Sequence, residues 1–236
     1  MNPLIHCVNA RAFPGSDALY GSNTVKSLQG PLHRRPGVVL NRQGFPHQGW
    51  VWAKKLVHET KIRIGSWNIG SLTGKLMELV DIMTHRKINI LCIQETKWVG
   101  EKAKEIDNLG FKLWYTGRSR NRNGVGVILD KSLKDNVVEI NRIGDRIIAL
   151  KIVVDAKIIN VISAYAPQVG LDLCSKIKFW NDLEELTQRI PLEEKVFIGG
   201  DLNGHVGRVI EDFKSIHGGY GFGETNEGGR TILDFA

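Results

Sequence analysis

Asp201 and Asn203 stand two residues apart at the end of a short apolar run, in the stretch KVFIGGDLNGHVG at 195–207. A carboxylate and an amide so placed have two ordinary readings. Asp, Asn and Gly are common strand terminators, and they are also groups that a strand can carry to the rim of a site. Three other stretches pose the same choice: Asn68 follows the apolar start of KIRIGSWN, Glu95 follows INILCIQ, and Tyr165 ends KIINVISAY. In layered α/β folds, ligands collect beyond the carboxyl ends of strands, where loops converge. One polar strand end is uninformative; four form a constellation. The matching chemistry is that of a hard divalent cation. Mg²⁺ takes oxygen ligands, often from one or two carboxylates, with water and substrate phosphate completing the shell. Glu95 suits direct ligation, and the Asn68 amide oxygen supports it or orients a bound water. Asp201 holds and polarises an attacking water, while the Asn203 amide and the Tyr165 hydroxyl donate to charge growing on phosphoryl oxygens.

The elements that must position these groups follow from hydrophobic period. KIRIGSWN alternates and reads as a strand. TGKLMELVDIMTHRKI places Leu76, Leu79, Val80 and Met83 at helical spacing, with Thr73 as the expected cap. INILCIQ is a near-continuous apolar run, the pattern of a strand buried on both faces. This order of strand, helix and strand predicts a crossover unit and a parallel pair. GVGVILD, NVVEINRIG, RIIALKIVVD and KIINVISAYAP then read as an antiparallel meander. SKIKFWNDLEELTQRI predicts a helix whose buried face is Ile177, Trp180, Leu183, Leu186 and Ile190, closed by Pro191. KVFIGGD is a further strand, and RTILDFA opens a last helix. Mixed sheets covered by helices define an α/β layered domain.

Composition bounds the rest. The 236 residues are 42% hydrophobic and 24% charged, enough for a real core. No stretch is apolar for long enough to span a bilayer, and the first residues do not form a signal peptide. Three widely spaced cysteines, Cys7, Cys92 and Cys174, indicate neither a disulfide framework nor a zinc site, so an intracellular, reducing compartment is expected. The net charge of +7 is concentrated at the start, where residues 1–60 carry seven Lys and Arg against two acids, together with five of the seven prolines. That stretch reads as a poorly ordered basic leader, leaving residues 61–236 as the folded domain.

The segments SWNIGSL (66–72), ILCIQETKW (90–98), NGVGVIL (123–129), ISAYAP (162–167) and GGDLNGHVG (199–207) resemble, in order and spacing, the endonuclease/exonuclease/phosphatase superfamily, which includes DNase I and the apurinic-site endonucleases. ETNEGGRTILDFA (224–236), with QETKW, is similar more narrowly to the endonuclease domains of non-LTR (LINE-type) retrotransposons and their craniofacial development protein 2-like relatives. The resemblance covers residues 61–236. It implies a DNase I-like, two-sheet α/β sandwich flanked by helices that cleaves phosphodiester bonds in DNA with Mg²⁺ or Mn²⁺ and no small-molecule cofactor, acting as a monomer inside the cell, with the nucleus as the natural site of its substrate. It implies Glu95 as metal ligand with Asn68 beside it, Tyr165 as a phosphate-side donor, Asp201 as the group positioning water and Asn203 as a transition-state stabiliser.

The family pattern runs on to an Asp-bearing strand and a final Ser-Asp-His segment, whereas this sequence ends at Ala236. The expectation is therefore an incomplete fold with an unpaired sheet edge and impaired turnover, since a missing general acid/base costs roughly 10²–10⁴ in rate. Arg118, Arg120 and Arg122 in RSRNRNG, and Asn226, are candidate nucleic-acid contacts; a solvated loop and a turn before the last helix explain them equally. His205 and His217 are not assigned roles, and Gly218, Gly219, Gly221 and Gly223 read as a flexible loop. Two other functions stay open: a phosphomonoesterase of the inositol-phosphatase type, and a non-catalytic remnant or weak nucleic-acid binder.

Overall fold

The computed structural model describes residues 61–106, 109–208, 213, 216–217 and 221–236, together with the backbone of three strands nearer the start, β1 (Ile5–Asn9), β2 (Arg34–Leu40) and β3 (Pro46–Trp52). The leader expected over 1–60 lies otherwise outside the described residues, as do Gly218 and Gly219. Asn23–Lys61 forms a compact unit of its own, in which β2 and β3 pair antiparallel.

The other unit carries β4 (Ile64–Asn68), α1 (Leu76–Arg86), β5 (Ile90–Gln94), β6 (Gly100–Ile106), β7 (Phe111–Gly117), β8 (Val125–Leu129), β9 (Val137–Ile143), β10 (Ile147–Val154), β11 (Lys157–Tyr165), α2 (Leu173–Gln188), β12 (Lys195–Asp201) and α3 (Glu227–Phe235). Among the described residues its strands form two five-stranded mixed sheets, ordered β4-β5-β8-β7-β6 and β1-β12-β11-β10-β9. The crossover through α1 makes β4 and β5 parallel, as its sequence predicts. β9, β10 and β11 form the expected antiparallel meander, but GVGVIL does not join it. That segment is β8, wholly buried between β5 and β7 in the other sheet. Periodicity identifies a buried strand without saying which sheet buries it.

Apolar faces fix the layering. Cys92, Val127 and Leu129 of one sheet meet Ile148, Leu150 and Val161 of the other in a core between the sheets. α1 seals the outer face of the first sheet with Leu79, Val80 and Met83, and α2 and α3 cover the outer face of the second. The sheets approach closely near the site. A Cβ added at Gly199 would lie 2.9 Å from the Cys92 side chain and 3.2 Å from Ser66 Cβ, so only glycine lets β12 pass there.

Several local expectations are corrected. Lys75, not Thr73, precedes the first turn of α1, and it gives no side-chain cap. α2 buries Phe179, Leu183, Leu186 and Thr187, with Trp180 and Ile190 partly buried beside them, while Ile177 is half exposed: the core-facing stripe keeps most of the expected residues but takes Phe179 in place of Ile177. Asp172 caps α2 by accepting from the Ser175 amide. α3 begins at Glu227, earlier than RTILDFA, because Asn226 caps it and its two glycines let the first turn run tight against Gly204 and His205. β6 has no apolar period and was missed; GEKAKEI is an exposed, lysine-bearing edge strand, charges that discourage pairing with another chain. β1 pairs with β12 in parallel, so β12 is an interior strand of its sheet.

Candidate active site

β4, β5, β11 and β12 all deliver their carboxyl ends to one edge of the sandwich. Asn68 is the last residue of β4, Glu95 follows β5, and Tyr165 and Asp201 are register partners closing β11 and β12. The Asn68 amide nitrogen donates to Glu95 Oε1 and to Asp201 Oδ2, both at 2.9 Å. This ties the first sheet to the second across 133 residues of chain. The Gly70 amide donates to Asn68 Oδ1 at 3.1 Å, which orients the side chain. Thus the nitrogen, not the oxygen, faces the carboxylates. The Tyr165 hydroxyl donates to Glu95 Oε1 at 2.9 Å and accepts from Gln168 at 3.1 Å. Asp201 Oδ1 accepts from the Asn203 amide at 3.1 Å, and the Asn203 side chain donates to the Ala166 carbonyl at 2.7 Å. Five of the sequence-selected residues therefore meet in one network.

Backbone and charge tune it. Glu95 has φ 57° and Asn203 φ 49°, left-handed conformations that non-glycine residues seldom adopt. The turn at Glu95 is held where the Thr96 and Lys97 amides donate to the Gly124 and Asn123 carbonyls. Burial pushes the Glu95 carboxyl up, but hydrogen bonds from Asn68 and Tyr165 and the Lys97 ammonium, 3.5 Å away, outweigh it and hold the group below its ordinary value. Burial, reinforced by the neighbouring Glu95 carboxylate, pushes the Tyr165 phenol up to about 12, so it stays a donor at neutral pH.

Two participants escaped the sequence reading. Arg146, in the tight turn between β9 and β10, lies over the Tyr165 ring at 5.3 Å and donates to the Tyr165 carbonyl at 3.1 Å. Burial lowers its pKa, and the nearby positive charge of Arg122 acts in the same direction. Gln94 is fully buried beneath the site, donating to Ser163 Oγ at 3.1 Å and Ser66 Oγ at 3.3 Å, while among the described residues its Oε1 finds no partner. A glutamine closing an otherwise apolar buried run was the signal for it; Arg146 had none. Arg118, Arg120 and Arg122 are exposed on the loop between β7 and β8. Asn226 Oδ1 accepts from the Gly229 and His205 amides, so it caps α3 and anchors the loop after β12. His205 is exposed, its ring against the Phe222 carbonyl.

Among the described residues, no three or more His, Cys, Asp and Glu side chains converge as a metal cage. Glu95 and Asp201, bridged by one amide, are the hard oxygen pair that a magnesium-type ion uses with water and phosphate, so the donor chemistry fits such an ion.

A profile of the Endonuclease/Exonuclease/phosphatase family matches residues 65–231. The chain belongs to the endonuclease/exonuclease/phosphatase family. Within that family it is 33% identical over 174 residues to the craniofacial development protein 2 of Tragulus javanicus and to that of Bos taurus, matching 73% of this chain. The chain spans about 30% of the length of these relatives. Its fold is similar to that of an AP endonuclease from Archaeoglobus fulgidus, with a TM-score of 0.53 and 22% identity over 74% of this chain and 69% of that one. The AP endonuclease LMAP from Leishmania major gives 0.51 and 18%, over 74% and 65%. The endonuclease domain of TRAS1, a telomere-specific non-LTR retrotransposon, gives 0.50 and 13%, over 74% and 68%. These likenesses establish the DNase I-like sandwich as the fold of this member of the family.

Proposed function

We propose that the chain is a Mg²⁺- or Mn²⁺-dependent phosphodiesterase acting as a DNA endonuclease, of the retro-element type. The observation carrying this reading is the Asn68–Glu95–Tyr165–Asp201 network, which joins both sheets through four strand ends. A divalent ion held by Glu95, with Asp201 facing it, would supply charge neutralisation on a phosphate and acidify a bound water. The protein's own groups do the rest. Asp201, fixed by Asn68 and the Asn203 amide, orients an attacking water. Asn203 has one amide hydrogen committed to Ala166 and a second for a phosphoryl oxygen. Tyr165 and Asn68 set the direction of the Glu95 carboxylate, and Arg146 adds positive charge beside Tyr165. Among the described residues no helix is long and apolar enough to cross a membrane. In a retro-element setting the nick would expose a 3′ hydroxyl able to prime synthesis.

The test is relaxation of supercoiled plasmid by the purified chain with Mg²⁺ or Mn²⁺, with Glu95→Gln and Asp201→Asn as controls. Nicking that disappears in both variants and in chelator supports the reading. Nicking that survives both substitutions overturns it. An intact plasmid alongside phosphate release from an inositol phosphate moves the site to the phosphomonoesterase reading, and inertness toward both favours the remnant.

A further inference from the structure

A cavity of about 360 Å³ opens beside the network, lined by Thr73, Lys97, Trp98, Val99, Tyr115 and Arg120. Its volume lies at the small end of the range for ligand pockets. Its walls combine two kinds of group. Trp98 and Tyr115 meet edge to face with ring centroids 5.4 Å apart. The Trp98 indole N–H donates to Thr73 Oγ1 at 3.4 Å, and Lys104 Nζ lies 5.7 Å from the ring centroid. The indole is therefore held from several sides in a defined setting. The cations Lys97 and Arg120 line the same space. Lys97 belongs to both places, because its ammonium also sits 3.5 Å from Glu95 Oε2.

An aromatic side chain with cations around it matches a nucleotide, whose base stacks and whose phosphate carries charge. Sequence-tolerant stacking of this kind needs a base free of its duplex neighbours. We propose that this cavity is a subsite for one unpaired nucleotide of the DNA strand next to the bond attacked at Glu95 and Asp201, with Trp98 receiving the base and Arg120 the flanking phosphate. The proposal rests on the nuclease reading above. It makes Trp98 a specificity group, favouring DNA that is frayed, single-stranded or locally unstacked over a closed duplex.

The experiment is anisotropy of the full chain, in chelator so that no cleavage intervenes, with fluorescein-labelled oligothymidylate and with a same-length abasic phosphodiester chain. The two probes carry equal charge and differ only in bases. The wild-type chain is expected to prefer oligothymidylate by roughly 5- to 150-fold, the range that loss of one aromatic stacking partner produces. Trp98→Ala should erase that preference while leaving abasic-chain binding unchanged. Arg120→Ala should weaken both probes alike and reduce the salt dependence by about one released ion. Equal wild-type affinity for the two probes overturns the proposal without requiring any variant to fold, as does a Trp98→Ala protein that keeps the preference. If plasmid is nicked but the bases are ignored, the subsite falls and the nuclease reading stands. If neither probe binds and plasmid stays intact, the nuclease reading itself has failed.

Discussion

Replacing Asn68 by leucine would keep the side chain's bulk and remove the single amide group that joins the two carboxylates. Glu95 Oε1 and Asp201 Oδ2 each lie 2.9 Å from the same nitrogen, so they are at most twice that distance, 5.8 Å, apart. At an effective dielectric of about 20, two unit negative charges at that separation repel by about 3 kcal/mol. In the native chain the Asn68 amide hydrogens offset that repulsion; in the variant Tyr165 and Lys97 still face Glu95 and the Asn203 backbone amide still faces Asp201, so about 3 kcal/mol is the upper bound of this contribution. The leucine also forfeits the Gly70 hydrogen bond, a further ~1 kcal/mol. For a domain of this size the combined loss lowers the melting temperature by up to roughly 10 °C. The two contributions separate by pH. Repulsion needs the Glu95 carboxylate ionised, so the deficit in chelator should be full at neutral pH and shrink toward the ~1 kcal/mol remainder as acid protonates Glu95, whose pKa in the native chain lies below its ordinary value. Mn²⁺ should also narrow it, because a bound cation replaces the missing positive edge. Urea melts of native and Asn68→Leu protein at several pH values, with and without Mn²⁺, make the measurement. A deficit that is unchanged by acid, or smaller than 1 kcal/mol at neutral pH, would refute the reasoning.

Glu194 offers a second pH handle, away from the site. Burial raises its pKa, but hydrogen bonds from Asn160 at 2.8 Å and Lys151 at 2.9 Å outweigh that and depress it below the ordinary value of 4.5. A depressed carboxyl contributes stability that is present above its unfolded pKa and lost as pH falls through the folded one. The native chain should therefore outlast Glu194→Gln at neutral pH, with the advantage fading below pH 4.5; a pH-independent difference in denaturant midpoint would contradict this. Asn226→Ala should cost about 1 kcal/mol through loss of the α3 cap, or roughly 2–4 °C in a thermal melt, and Asn226→Ser should restore most of it. Oligonucleotide binding that stays lost in the serine variant would mark a direct DNA contact in addition to the cap.

The strands bearing the site were legible because burial on both faces leaves a run such as ILCIQ with almost no polar residue, and the polar group that ends it stands out. The partition between sheets was not legible. GVGVIL and NVVEINRI follow one another in the sequence and both read as strands, yet the chain changes sheets between them, a choice made by packing with β5 that no local period records. Lysine-rich β6 escaped because an edge strand half open to water needs no apolar alternation. Ile177 was misplaced because a helix on a sheet selects its buried stripe by docking angle, and Phe179 serves that angle better. At the site, residue types announced Asn68, Glu95, Tyr165, Asp201 and Asn203. Arg146 reached it through a turn whose sequence says only that the chain reverses.

The glycine gap at β12 gives the sandwich a sensitivity its fold alone does not require. Glu95 and Asp201 ride on opposite layers, and Gly199 sets how far apart those layers sit just below them. Any swelling of the interior, from an oversized core side chain or from Gly199→Ala, whose Cβ would lie 2.9 Å from the Cys92 side chain and force a neighbour to shift, would spread the carboxylates as well. The proposed nicking activity would then fall while the molecule still melted as one cooperative body, so harmful substitutions should be found deep between the layers as well as around the mouth of the cleft.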